Sequence, residues 1–141
     1  MLRTSLTHPG ILAALASMGH GSTVLIADGN FPFSTAPLPS APVVFLNLAP
    51  GLVTVIDVLE AILPVIPIEA ALLMDSGEEP PQAHRAIRTS LPADLPVDAV
   101  ARQDFYAATR LPTLGLVVAT GDSRPFANVL LTVGVVPPAD T

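Results

Sequence analysis

His20 stands between Gly19 and Gly21, and Asp28 lies just ahead of Gly29 a few residues further on. An imidazole titrates near neutrality, so His20 can give or take a proton at pH 7. The flanking glycines leave room for something to approach it closely. Between the two groups, Thr23-Val24-Leu25-Ile26-Ala27 is a continuous apolar run, too short for a helix and rich in β-branched residues, which predicts a strand covered on both faces. Asp28 then sits at the carboxyl end of that strand, where α/β proteins tend to bind ligands. The strand is short and the loop before it can fold back, so both side chains are expected to line one cleft. Two plainer readings stand beside this one. His20 can cap the last carbonyls of a preceding helix, and Asp28 can simply form a turn.

The elements that would carry these groups follow in chain order. Thr7 or His8 caps a helix over about residues 9–18 with Pro9 in its first turn, where the missing N–H costs nothing. After the strand, residues 29–42 form a long loop holding Phe31, Phe33 and four prolines, and loops of this kind are often functional or buried at an interface. Val43 to Leu48 reads as a second strand. Leu52, Val55, Ile56, Leu59, Ile62 and Leu63 recur at helical spacing with Asp57 and Glu60 opposite, until Pro64 stops the helix. Ile66 to Met74 is a third strand, Gln82 to Leu91 a helix exposing Arg85 and Arg88, and Val97 to Ala101 a strand. Asp104 is expected to cap a short helix through Phe105, Tyr106 and Arg110. Leu114 to Ala119 and Val129 to Val133 are the final strands. The pattern predicts one α/β domain over residues 1–141, in three layers, with a mixed β-sheet flanked by helices.

Composition limits the partners. Half of the 141 residues are hydrophobic and only 13% are charged, with mean hydropathy +0.61. A small domain has much surface to cover, so so few charges imply that other subunits cover part of it. The net charge of −6 and six scattered arginines argue against a nucleic-acid surface. No charge occurs between Gly29 and Ile56, but five prolines break that stretch and exclude a membrane-spanning helix. No signal peptide is recognisable, which makes a cytoplasmic location the default. There is no cysteine, and His8, His20 and His84 lack paired-ligand spacing, so no metal site is expected. Thr120-Gly121-Asp122 with Asn128 lacks the glycines and lysine of a phosphate loop, and no dinucleotide fingerprint or Gly-x-Ser-x-Gly elbow is present. Adjacent Phe105 and Tyr106 read as core and interface. From the residues alone the chain is a small α/β protein, expected to be oligomeric, with a His/Asp cleft.

A resemblance extends this reading. Met18-Gly19-His20-Gly21, Ala27 to Pro32, Phe105-Tyr106, Ala119-Thr120-Gly121, and Phe126 to Leu131 with Gly134-Val135 resemble motifs of the fucose mutarotase and ribose pyranase family. They occur in that family's order from about residue 2 to 136. The resemblance implies a cytoplasmic ring of identical subunits, commonly a decamer, that interconverts anomers or ring forms of a free monosaccharide without a cofactor. It also implies roles: His20 as the proton donor, Asp28 as a sugar-binding carboxylate, Arg102 as a sugar-contacting basic residue, and Phe126, Ala127 and Asn128 as a sugar-binding segment. Phe126 replaces the family's tyrosine, and Ser22 stands where fucose mutarotases usually have aspartate. Losing one hydroxyl contact costs about 0.5–1.5 kcal/mol, so a change in affinity or specificity is expected rather than inactivity.

The branch of the family remains a choice. Gly19-His20-Gly21 and Asn30-Phe31-Pro32 lean towards the fucose type, and Ile68-Glu69-Ala70-Ala71 towards ribose pyranase. The fucose-type mutarotase is the expectation and ribose pyranase its alternative. A non-catalytic sugar-binding or regulatory protein is the alternative of another class.

Overall fold

A computed structural model describes residues 1–140. Its elements are α1 (Pro9–Ala16), β1 (Thr23–Ala27), β2 (Val43–Phe45), α2 (Val55–Ile62), β3 (Ile68–Met74), α3 (Gln82–Ser90), β4 (Val97–Val100), α4 (Arg102–Ala108), β5 (Leu114–Ala119) and β6 (Val129–Val133). The six strands form one sheet in the order β2-β5-β1-β6-β3-β4. β6 runs antiparallel to β1 and β3, whereas β2, β5 and β1 run parallel, as do β3 and β4. All strands but β6 therefore deliver their carboxyl ends to one edge of the sheet, and β6 begins there.

Alternation along the strands builds two cores. Val24 and Ile26 face one way with Leu116, Val118, Val129 and Leu131, against α1, α2 and α3. Leu25, Val117 and Leu130 face the other way, against Phe105 of α4 and the buried Phe31, Ala36 and Ala41 of the long loop. This is the three-layer α/β arrangement expected. The proline-rich segment does the work of a helix on the second face, which explains how so long a loop can be so well packed. No helix among the described residues is long and apolar enough to cross a membrane.

The ends of several elements differ from expectation for local reasons. His8 caps α1 by accepting from the Ile11 N–H at 3.2 Å, and α1 stops at Ala16, short of Met18. α2 starts three residues later than its apolar spacing suggests, because Thr54 and Asp57 form a reciprocal capping box that fixes its first turn. β2 is shorter than predicted, because after Phe45 the chain turns back through Ala49 to Leu52 instead of continuing along the sheet. Asp104 is not the cap of α4. That helix opens at Arg102 behind an extended Ala101, and Asp104 lies within its first turn, where a carboxylate suits the helix dipole.

The β5–β6 connection locks this edge. Gly121 presses against the 49–53 turn, where an added Cβ would meet the Ala49 carbonyl oxygen at 2.5 Å. Asp122, 1% exposed, accepts from the Val55 N–H at the start of α2 at 3.0 Å and from Arg124 Nη2 at 2.7 Å. Burial alone pushes its pKa up, but the Arg124 and Val55 hydrogen bonds outweigh it and hold the carboxyl below its ordinary value of 3.8. The stabilisation is therefore complete above that unfolded value and is lost as pH falls through the lower folded one. Asp122→Asn is expected to cost about 1.5–3 kcal/mol at neutral pH and to flatten the acid limb, since the carboxylate accepts charge-assisted hydrogen bonds. Urea unfolding across the acid range tests this, and an unchanged slope in the variant would remove Asp122 as its source.

Candidate active site

At the carboxyl edge, a cleft of about 150 Å³ is lined by Asp28, Asn30, Phe31, Met74, Arg102, Tyr106, Pro125, Phe126 and Asn128. Topology assembles it from ends of four strands. Asp28 follows β1, Met74 ends β3, Arg102 follows β4, and Asn128 immediately precedes β6. The first and last are locked together. The Asp28 N–H donates to Asn128 Oδ1 at 2.8 Å, and Asn128 Nδ2 donates to Asp28 Oδ2 at 3.1 Å. The Asn30 N–H donates to Asp28 Oδ1 at 2.9 Å. Asp28 thus forms a turn and also faces a cleft, so the two readings of this residue are compatible.

Burial raises the Asp28 pKa above 3.8, and amide hydrogen bonds from Asn30, Phe31 and Ala127, with the Asn128 side chain, offset only part of that effect. A carboxyl pushed towards neutrality at the foot of a cleft is suited to holding a hydroxyl or to moving a proton. Arg102 supplies the cation. Its guanidinium lies 5.8 Å from the Phe126 ring centroid and makes no ion pair among the described residues, which leaves its donors free for a ligand. Behind them Tyr106 meets Phe31 edge-on at 5.5 Å, and Phe31 packs on Phe105 at 6.3 Å. Phe126 itself has φ 59°, a left-handed backbone that costs a non-glycine residue about 1–3 kcal/mol and needs support from its surroundings.

His20 is elsewhere. It lies before β1, at the opposite edge, in an apolar cavity of about 460 Å³ lined by Leu12, Met18, Val65, Val135 and Val136 among others. The expectation that His20 and Asp28 line one cleft is corrected for the single chain. β1 separates them, and the loop before it is held at its own edge by the Gly21 N–H donating to the Val133 carbonyl at 3.0 Å. His20 is not a cap for α1 either, since Ser17 occupies that position. Its Nε2 instead bonds the Glu69 carboxylate, at 2.9 and 3.1 Å to the two oxygens.

Ala127 takes part only through its backbone. Its side chain is fully buried in the main core and does not line the cleft; only its backbone reaches Asp28. Phe105 is core, as expected, but Tyr106 turns from the core to the cleft wall. Tyr106 and Asn30 lie in motifs of the resemblance without an assigned role and Met74 in none, and the strand order brings the three together. Glu69 was visible as part of a motif but had no visible partner. In the Thr120-Gly121-Asp122 segment the Asp122 carboxylate is paired with Arg124. Among the described residues, no three His, Asp or Glu side chains converge as metal ligands would.

Comparison with known proteins returns one family. The profile of the RbsD / FucU transport protein family matches residues 1–136. A protein of Paracidovorax citrulli named D-ribose pyranase is 36% identical, covering 96% of this chain and 98% of its own. The structure of Bacillus subtilis RbsD complexed with D-ribose superposes with TM-score 0.84 at 20% identity, over 96% of this chain and 99% of the other, which establishes the shared fold. FucU from Bifidobacterium longum superposes with TM-score 0.73 at 31% identity, over 92% and 94% of the two chains.

The Asp28–Asn128 clamp can be tested directly. Asn128→Ala leaves the Asp28 N–H and one carboxylate oxygen without partners in a closed site, and a loss of about 1–3 kcal/mol in unfolding free energy is expected. Asn128→Asp sets a second carboxyl against one whose folded pKa is already raised, so its penalty should grow as pH rises through that folded value. Urea titrations at several pH values measure both; a pH-independent penalty in Asn128→Asp would mean that the two groups do not face each other.

Proposed function

Because the chain belongs to the RbsD/FucU family, we propose that it is a cofactor-independent monosaccharide isomerase of the D-ribose pyranase type, interconverting ring forms of a free pentose. The observation that carries this reading is the small polar cleft at the carboxyl edge, where one carboxyl, one guanidinium, two amides and three aromatic rings converge. Its volume lies below the about 300–1,000 Å³ of drug-sized sites, as suits a ligand of one sugar ring.

The chemistry needs little more. Ring opening requires a proton to reach the ring oxygen while one leaves the anomeric hydroxyl. Reclosure by the same hydroxyl on either face of the aldehyde exchanges anomers, and reclosure by a different hydroxyl exchanges pyranose and furanose. Atoms and protons balance without an external reagent. Asp28 and Asn128 hold hydroxyls, Arg102 orients another, and Phe126 offers its ring to an apolar sugar face. His20 carries the proton. Glu69 accepts from Nε2, which fixes the tautomer and leaves Nδ1 as the basic nitrogen. Water already opens these rings, so a gain of about 10²–10⁴-fold from positioned acid–base groups is enough.

His20 reaches a sugar at Asp28 only if the site is shared between subunits. Val135 and Val136 are exposed beside His20 at one edge, and Phe45, Leu48 and Leu52 are exposed at the other. Apolar patches on opposite edges favour head-to-tail contacts, which close into rings when the rotation permits. A ring of this kind sets His20 of one subunit over the next subunit's cleft and covers the charge-poor surface.

The fucose-type reading gives way here to its ribose alternative. Relatives named D-ribose pyranase support that choice at 36% and 32% identity. The motif that leaned towards ribose contains Glu69, the partner of His20. In the fucose-leaning Asn30-Phe31-Pro32, by contrast, Phe31 is 5% exposed and serves mainly as core.

Saturation-transfer NMR on D-ribose and L-fucose in parallel tests the reading. Faster exchange on ribose, lost in His20→Ala with sugar binding retained, is the expected result. Binding without exchange in the wild type would favour a sugar-binding protein instead. Mixed assemblies of His20→Ala and Asp28→Asn, each inactive alone, should regain about a quarter of the sites if neighbours share them. No recovery in confirmed mixed rings would place both groups in one subunit's site or in none.

A further inference from the structure

We propose that His84 is a positioning residue for the cleft, holding the Phe126 carbonyl so that Phe126 and Asn128 keep their ligand-facing geometry. His84 lies on α3, which contributes no lining residue to the cleft and packs on α2 behind the other face of the sheet. Its side chain reaches through to the cleft's rim, is 4% exposed, and sets Nε2 3.1 Å from the Phe126 carbonyl oxygen. A carbonyl can only accept, so Nε2 carries the proton in this contact.

The held residue is the one that needs holding. Phe126 adopts a left-handed backbone, with φ 59°, that a phenylalanine does not favour. Releasing it would swing the ring away from Arg102, now 5.8 Å from its centroid, and would shift Asn128 two residues on, which grips Asp28 through both its amide atoms. The environment suits a neutral tether. Burial lowers the His84 pKa below 6.5, Arg88 acts the same way, and the Phe126 and Met74 carbonyls with Asp75 oppose them. Met74 is itself a cleft-lining residue, so the imidazole stands behind two points of the same wall.

The inference rests on the sugar-isomerase reading for its functional consequence, but its structural core is separable. D-ribose exchange is measured by NMR in the assembled wild type, His84→Leu and His84→Gln. His84→Leu should raise KM about tenfold, as expected for one lost hydrogen bond's worth of organisation, while kcat changes less than about twofold. His84→Gln keeps an N–H donor and should restore KM to within about threefold of wild type. The Phe126 Cα chemical shift should leave its left-handed value in His84→Leu and keep it in His84→Gln. Unchanged KM and unchanged Phe126 shift in a folded His84→Leu would overturn the proposal. So would ring ¹⁵N shifts placing the wild-type proton on Nδ1, a measurement that decides the matter even if His84→Leu fails to fold. A wild type that does not accelerate ribose exchange would defeat the isomerase reading, while the tautomer and Phe126 shifts would still judge the tether.

Discussion

The cleft depends on one reversal of direction. β6 lies between β1 and β3 and runs against both, so its first residues reach the edge where the other strands end. That alone brings Asn128 to Asp28, one hundred positions away, where the two exchange a pair of hydrogen bonds. Were β6 parallel to its neighbours, its start would lie at the far edge and Asp28 would be a buried carboxyl with little to hold it. Amide donors around that group offset part of the cost of burying it, and burial still leaves its pKa raised.

The same geometry divides the molecule's chemistry between two edges. The groups that can hold a ligand gather where strands end, and the imidazole with its glutamate partner gathers where β1 and β3 begin. Each edge carries exposed apolar side chains. Under the proposed shared site, assembly and catalysis would be one requirement, and the charge-poor surface fits both.

Much of the fold was legible because burial leaves period-specific patterns. Thr23–Ala27, Leu114–Ala119 and Val129–Val133 are strands with the bounds their apolar runs predict. Element starts were harder, since they turn on single capping contacts. Thr54 and Asp57 override the apolar spacing that began with Leu52, and Arg102 rather than Asp104 opens α4. Within the site, Asp28 could be placed because a strand end is a local property. The separation of His20 from Asp28 could not, because it follows from the non-local fact that the preceding loop is tied to Val133. His84 was silent for the same reason, since it sits in no motif; Tyr106 lay in a motif, but which wall its ring would face is decided by sheet order.

Tyr106 has one more consequence. It is the sole tyrosine of a chain without tryptophan, and it stands in the cleft wall against Phe31. The ultraviolet emission of the whole protein therefore originates almost entirely from one ring in the wall of the candidate site. The sequence has in effect labelled the pocket, and its occupancy can be followed optically without adding a dye or altering a residue.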